Sequence, residues 1–324
     1  MEKMTLQVRD LCTSFFTDKG EIKAVNNVSF DVPKRSIIGI VGESGCGKSM
    51  TARSVMRLLK YPGKIVSGSI VITGKELTTL TEAEMSNVRG EEISMIFQEP
   101  MTSLNPVMKV GKQVQEVVLL HRKVTKHEAR EEVLRMFEKV GISEPEKRYE
   151  CYPHELSGGL RQRVMIAMAM ICRPKLLIAD EPTTALDVTV EAQILELMKN
   201  LRDQIGTSII LISHNLGVVA EICDYVHVMY AGRIVEQAET FELFDNPRHP
   251  YTIGLMNSVA SLERKQAVLD TIHGTVPNLL NLPAGCSFVP RCGRKCPGCD
   301  MSVPELREVA PGHFVSCHAA WQEV

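Results

Sequence analysis

The sequence predicts an α/β fold with a mixed-sheet core, an antiparallel β subdomain, a helical subdomain and a small cysteine-rich C-terminal extension. Three observations carry that prediction. Apolar runs of strand length close on a polar residue, as in Ile93–Gln98, Leu176–Asp180 and Ser208–His214. Buried strands of a parallel sheet read this way when their C-terminal ends face a ligand. A glycine-rich loop, Gly42-Glu43-Ser44-Gly45-Cys46-Gly47-Lys48-Ser49, stands between the apolar run Ile37–Val41 and a helical pattern from Met50 to Leu59. Five cysteines crowd the C-terminal end, at Cys286, Cys292, Cys296, Cys299 and Cys317.

At 324 residues the chain is long enough for a full core and for two domains. Hydrophobic content of 44% and a formal charge of -2 describe an ordinary soluble protein. Nothing is strongly basic, which argues against nucleic acid as a principal partner. Met1 to Gly20 carries charges throughout, so no signal peptide is expected. No run approaches the ~18 apolar residues of a membrane span. The expectation is a cytoplasmic protein whose membrane role, if any, comes through a partner.

Residues 4–40 alternate apolar and polar positions, as in Leu6-Gln7-Val8 and Val28-Ser29-Phe30-Asp31-Val32, and predict antiparallel strands. Phe15 and Phe16 lie among them, beside the turn Asp18-Lys19-Gly20. Such an aromatic can stack on an adenine base, and it can as well be a core or strand-edge residue.

In the loop at 42–49, glycines let the backbone curl so that several N–H groups point into one concavity, which prefers an anion. The helix behind it adds free amides and the positive end of its dipole. Strand, glycine loop, lysine and serine in this order are a P-loop. There Lys48 reaches the β- and γ-phosphates of a nucleotide and the Ser49 hydroxyl binds Mg²⁺. The bland alternative is a glycine turn with one solvated lysine.

A short strand pair is expected around Ser69–Ile72, and a polar helix near Thr81–Val88. The strand Ile93–Phe97 ends in Gln98, which can touch a metal or an attacking water, or merely terminate the strand. Val110–Leu120 and Thr125–Val140 read as helices, with Val133, Leu134, Phe137 and Val140 at helical spacing. That stripe is packing, and it predicts a helical subdomain at about residues 100–170.

Leu156-Ser157-Gly158-Gly159 forms a second glycine turn ahead of an apolar helix. It can cradle phosphate, although it lacks a lysine, or simply cap the helix. The buried run Leu176–Ala179 closes on Asp180-Glu181. Asp180 fits the carboxylate that holds Mg²⁺ in P-loop ATPases, and Glu181 the residue that orients or deprotonates the attacking water. Helix capping by Glu181-Pro182-Thr183 competes with that role. Ser208–Ser213 ends in His214, where a γ-phosphate would lie, and Val226–Met229 and Arg233–Val235 form a final hairpin across Ala231-Gly232.

Taken together, these pieces resemble the ATP-binding subunit of ABC transporters over roughly residues 4–260. Gly42–Ser49 matches Walker A, Gln98 the Q-loop, Leu156–Gly159 the signature and Leu176–Asp180 with Glu181 Walker B. Ala185-Leu186-Asp187 resembles the D-loop, and His214 the switch histidine. The resemblance implies ATP binding by Gly42, Glu43, Ser44, Gly45, Cys46, Gly47, Lys48, Ser49 and Met50. Phe15 is favoured over Phe16 against adenine by its distance from Ala24-Val25. It implies Mg²⁺ on Ser49, Gln98 and Asp180, and catalytic roles for Glu181, His214 and Gln98. Two such subunits face each other in the family. Ser157, Gly158 and Gly159 of one close on the other's ATP, with Asp187 in the D-loop. Position 160 is leucine where the signature ends in glutamine, but the phosphate contact comes mainly from the serine and glycine amides.

Gln98-Glu99-Pro100-Met101-Thr102-Ser103-Leu104-Asn105-Pro106 and Asn246-Pro247-Arg248-His249-Pro250-Tyr251-Thr252 narrow the resemblance. Both are similar to the dipeptide/oligopeptide importer branch, which includes nickel and glutathione importers, and most of all to its D-type dipeptide subunits. Glu99 stands where the branch often has aspartate. The implied partners are a second ATPase subunit, the same or related, two transmembrane permease subunits and, indirectly, an extracytoplasmic peptide-binding protein. The implied location is peripheral, on the cytoplasmic face of the cell membrane.

Residues 1–260 are thus expected to form the nucleotide-binding domain, and 261–324 a regulatory or metal-binding extension. A helical stretch is expected from Ile253 to about Val268, then an extended Pro- and Gly-rich segment. Cys286, Cys292, Cys299 and Cys317 do not follow the Cys-x2-Cys spacing of common zinc sites. By softness their thiolates suit a [4Fe–4S] cluster or zinc. The importer branch has the same cysteine pattern, where it resembles an iron–sulfur motif, with Cys296 a spare or alternative ligand. A soluble ABC ATPase not devoted to transport, or a metal or redox sensor that only binds ATP, are the rival functions.

Overall fold

A computed structural model describes residues 4–98, 103–184, 186–258 and 272–323. In chain order, strands β1 (Met4–Thr17), β2 (Gly20–Pro33) and β3 (Ile37–Val41) precede helix α1 (Lys48–Val55). Strands β4 (Gly63–Ile72) and β5 (Lys75–Glu76), helix α2 (Glu82–Val88) and strand β6 (Ile93–Ile96) follow. Next among the described residues come the helices α3 (Val110–His121), α4 (Lys126–Lys139), α5 (Pro145–Tyr149) and α6 (Gly158–Met170). Then β7 (Leu176–Asp180), α7 (Val188–Ile205), β8 (Ser208–Ile212), α8 (Leu216–Ile222), β9 (Tyr225–Tyr230) and β10 (Arg233–Glu239) alternate. Helices α9 (Thr240–Asp245) and α10 (Pro250–Asn257) and the short strands β11 (Arg307–Ala310) and β12 (His313–Val315) end the chain.

The residues gather into two compact units. The first holds the described residues of Met1–Thr5, Val32–Ser36 and Thr79–Ile210. In it β7 lies between β8 and β6. Strands β6 and β7 run parallel, from Ile93 opposite Leu176 to Ile96 opposite Ala179. Every residue of β6, β7 and β8 is buried, which is why their sequences read as unbroken apolar runs.

The helices of this unit begin on local signals. Thr81 with Glu84 and Thr125 with Glu128 close reciprocal capping boxes at α2 and α4. Asp187 caps α7, its Oδ1 accepting from the Val190 N–H at 2.9 Å. The predicted stripe on α4 is buried, with Val133 and Phe137 fully covered. Helix α3 comes so close to Tyr149 that a Cβ at Gly111 would collide with the ring. Tyr149 is fully buried there and donates from its hydroxyl to Gln115 Oε1 at 3.0 Å.

The second unit holds Leu6–Asp31, Ile37–Thr78 and the described part of Leu211–Val324. One sheet is antiparallel, in the order β2-β1-β4-β5. The other runs β11-β12-β10-β9-β3 and is mixed. Strands β3 and β9 are parallel, β9 and β10 antiparallel, and β12 extends β10 antiparallel with Glu236 opposite Val315. The cysteine-rich residues 272–323 therefore belong to the same unit as the glycine loop. The pair β11–β12 was not expected from the sequence, which reads there as an extended segment. The helix expected from Ile253 is the end of α10. Its remainder past residue 258 lies outside the described residues, as do Glu99–Thr102 and Ala185 of the branch and D-loop motifs.

Candidate functional site

In the second unit, the five buried residues of β3 aim the chain into the glycine loop. Gly42 holds φ at +147° and Gly47 at +109°, backbone that L side chains rarely adopt. A Cβ would collide at Gly42 with the Met229 carbonyl oxygen, and at Gly47 with that of Ala24. The loop is thus pressed against its neighbours at two points where only hydrogen fits. Helix α1 starts from Gly47 with no side-chain cap and no acidic residue in its first turn, leaving its N-terminal end electropositive.

Lys48 is 6% exposed, and its Nζ donates to the carbonyl oxygens of Gly42 at 2.6 Å and Glu43 at 3.0 Å. The ammonium is held across the loop's own concavity, within reach of an anion bound there. Ser49 and Met50 are in the first turn of α1, and Ser44 and Gly45 face solvent. Cys46 is fully buried and burial pushes its thiol up, so it packs rather than reacts.

Phe15 is half-buried on β1 opposite Gly63, where a Cβ on that glycine would come within 2.8 Å of its ring. Phe16 is 49% exposed. His214 is exposed just beyond β8, between Ser213, whose N–H donates to the Ile40 carbonyl at 3.3 Å, and Asn215, which caps α8.

In the first unit, Asp180 is buried at the end of β7. Glu181 follows at φ +47°, in the left-handed region. Its Oε2 accepts from Gln98 Nε2 at 2.8 Å and from the Thr184 hydroxyl at 3.1 Å. The ends of β6 and β7 thus bring together Gln98 and the two carboxylates, which the sequence places more than eighty positions apart. A buried carboxylate beside a more open, hydrogen-bonded one gives one group for a cation and one for a water.

Ser157 and Gly158 are exposed at the start of α6. The Ser157 hydroxyl accepts from the Leu160 N–H at 3.4 Å, so the capping role weighed for it is present. A Cβ at Gly159 would press on Val190 at 3.0 Å, and α6 also has no acidic residue in its first turn.

Sequence reasoning missed what holds Glu43. Its N–H donates to the hydroxyl of buried Tyr251 at 2.8 Å. Its carboxylate takes a two-pronged ion pair from Arg291, at 2.7 Å and 3.0 Å. Tyr251 stood out only as part of a branch motif, and no local pattern marked Arg291.

Iron–sulfur or zinc ligation by Cys286, Cys292, Cys299 and Cys317 finds no support in the geometry. Among the described residues no three His, Cys, Asp or Glu side chains are set to hold a metal ion. Cys299 pairs its sulfur with Cys296 at 3.5 Å, and Cys292 Sγ accepts the Arg294 N–H at 3.3 Å. Burial, and then charge repulsion from Cys317, Cys299 and Cys292, pushes the Cys286 thiol up to about 11. The thiols share one neighbourhood without converging on a common point that would hold an ion.

The family model for ABC transporters matches residues 25–184, and that for the oligopeptide/dipeptide transporter C-terminal region matches 235–299. The chain is 51% identical over 319 residues to the oligopeptide transport ATP-binding protein OppD of Salmonella typhimurium, covering 98% of this chain and 95% of that one. It is 50% identical over 318 residues to the dipeptide transport ATP-binding protein DppD of Bacillus subtilis, again 98% and 95%. Among solved structures it is similar to cbiO1 of Clostridium perfringens, part of the cbiONQ ABC transporter complex. That match has TM-score 0.65 and 27% identity over 76% of this chain and 92% of that one. In fold it also matches the ATP-binding cassette MJ0796 as a dimer bound to ADP and Pi, with TM-score 0.66 and 23% identity over 72% and 98%.

Proposed function

The chain belongs to the ATP-binding proteins of ABC transporters, in the group with the oligopeptide/dipeptide transporter C-terminal region, and we propose that it is the ATPase subunit powering import of di- and oligopeptides. The observation that carries this is near-complete likeness, at about half identity, to proteins named for oligopeptide and dipeptide transport. Likeness confined to the nucleotide-binding motifs would leave the substrate class open. Here it runs through the C-terminal region as well.

In this reading the amides of Gly42 to Met50 cradle the phosphates and Lys48 leaves its carbonyl partners for the β- and γ-oxygens. The loop suits this role, since two of its glycines admit no side chain and the ammonium already sits inside the curl. Phe15 stacks on the adenine. Ser49, Gln98 and Asp180 would hold Mg²⁺, which would supply positive charge against the negative charge that develops on phosphoryl transfer. Glu181 takes or orients the proton of the attacking water, and His214 steadies the γ-phosphate. Ser157, Gly158 and Gly159 act on the ATP of a facing subunit, with Asp187 beside them.

The partners are a second ATPase subunit, either another copy or a related chain, and two membrane permeases served by an extracytoplasmic binding protein. Among the described residues no helix is long and apolar enough to cross a membrane, which suits a peripheral subunit on the cytoplasmic face. A [4Fe–4S] role for the tail rests on the family resemblance alone; colour and iron content of anaerobically purified protein test it. Uptake of a labelled dipeptide tests the main reading. Cells with the intact chain should accumulate it, and Lys48→Ala should stop uptake while the permeases remain in the membrane. Recovery of only soluble partners or nucleic acid with the tagged chain would sink the proposal.

A further inference from the structure

The guanidinium of Arg291 comes from the cysteine tail, one residue before Cys292, and it is completely used. Its Nη1 donates to Glu43 Oε2 at 2.7 Å and to the Tyr230 hydroxyl at 3.5 Å. Its Nη2 donates to Glu43 Oε1 at 3.0 Å and to the Ile272 carbonyl at 3.2 Å, and its Nε to the His273 carbonyl at 2.9 Å. All five N–H groups of the fork thus have an acceptor. The side chain is only 4% exposed, over the rings of Tyr230 and Phe288. A surface ion pair is loose and screened, but one this covered and this saturated is fixed in place.

What it fixes is the second residue of the phosphate loop. Glu43 is gripped from three sides: Tyr251 takes its N–H, Lys48 donates to its carbonyl oxygen, and Arg291 holds its carboxylate. When Lys48 turns to a phosphate, the carbonyl loses that partner but keeps the Cys46 N–H at 3.3 Å, and Arg291 with Tyr251 supplies the grip from outside the loop. Tyr251, Tyr230 and Phe288 pack against one another, so the tail and α10 form one aromatic wall behind the loop.

We propose that Arg291 is a positioning residue for ATP binding, through which the cysteine tail holds the phosphate loop in its anion-accepting shape. The inference rests on the reading of residues 42–49 as the ATP site. It makes the tail part of that site's scaffold, so nucleotide affinity depends on a segment that touches no nucleotide.

The test uses the full chain, with Mg·ATP binding measured by calorimetry and amide exchange measured at residues 42–49. Arg291→Gln should weaken ATP at least about 5-fold, the low end of an ordinary coupling between sites, and should speed exchange in the loop. Glu43→Gln, which leaves the tail intact, should do the same, and the double variant should be no worse than either single one. Arg291→Lys keeps the charge without the fork and should recover only part of the affinity. If Arg291→Gln does not fold, Glu43→Gln and Arg291→Lys decide the matter. Unchanged affinity and unchanged exchange in both would overturn the clamp, as would fully additive losses in the double variant. The ATP site is judged separately: binding that survives Lys48→Ala would count against that reading, while loop exchange still reports on Arg291.

Discussion

Glu181 holds its backbone at φ +47°, a region that costs a side chain with a Cβ of order 1–3 kcal/mol and survives only where neighbours enforce it. The neighbours are visible. Gln98 and Thr184 both donate to the same carboxylate oxygen, which turns the side chain away from the run of β7 while Asp180 stays buried on it. Two adjacent carboxylates thereby have different surroundings, one closed and one open, as a division between cation ligand and base requires. Gln98 donating to Glu181 also ties the end of β6 to that carboxylate. Glu181→Gln keeps the size and can still receive a hydrogen bond from Gln98. It should lower turnover by roughly 10²–10⁴-fold, the usual worth of a general base, and leave Mg·ATP affinity close to that of the intact chain. Phosphate release in steady state and equilibrium binding separate the two effects; turnover that persists would remove Glu181 from the chemistry.

At the scale of elements, the tail is docked by a buried cluster on β10 and β12. His313 is fully buried and pairs with Glu236 at 2.8 Å and Glu242 at 3.1 Å, while Glu236 also accepts the N–H groups of Arg248 and His249. Burial disfavours the charged imidazole, but the two carboxylates outweigh it and raise its pKa above the ordinary 6.5. Hydrogen bonds from His313 and Asn246 hold the Glu242 carboxyl below its ordinary 4.5. The histidine's contribution is therefore whole below about 6.5 and lost as pH rises through its folded value. The glutamate's is whole above 4.5 and lost as pH falls through its own. Protection factors for the β12 amides should peak between these limits and decline on the alkaline side, and His313→Asn should flatten that decline. A flat profile in the intact chain would show that the cluster carries no charge-dependent docking.

The same elements explain what was legible beforehand. Strands β3, β7 and β8 announce themselves because a fully buried strand must be apolar at nearly every position. The threonine caps of α2 and α4 are signals of four residues' span. By contrast β12 has three residues, and besides its neighbour β11 it pairs with Glu236 and Gln237 of β10, far away in the chain. Arg291 meets Glu43 across 248 positions, and no local pattern encodes such a pairing. That Gln98 and Glu181 stand at strand ends was readable, but their hydrogen bond was not, because it depends on β6 lying beside β7.

For the whole molecule the proposed ATP site predicts a second half supplied by a facing subunit. The helix starts behind the two glycine turns, α1 behind the phosphate loop and α6 behind Ser157-Gly158, both lack acidic residues. Each presents the amides of its first turn to an anion, but only α1 opens on a lysine. At α6 the serine cap is long, 3.4 Å, and both Ser157 and Gly158 face solvent. A cradle of this kind is suited to finish a charge that another loop has bound first. If α6 serves a facing subunit, hydrolysis is a property of the pair, and the rate per chain cannot be constant. Measured on the purified chain, it should be low when dilute and climb with concentration if a second copy is the partner. If a related subunit is the partner, it should climb only when that subunit is added. Ser157→Arg, which fills the cradle, should abolish the climb and leave ATP binding by the dilute chain intact. A rate per chain that stays flat under both additions, at a turnover unaffected by Ser157→Arg, would mean that one chain hydrolyses ATP alone and that α6 is capped for stability only.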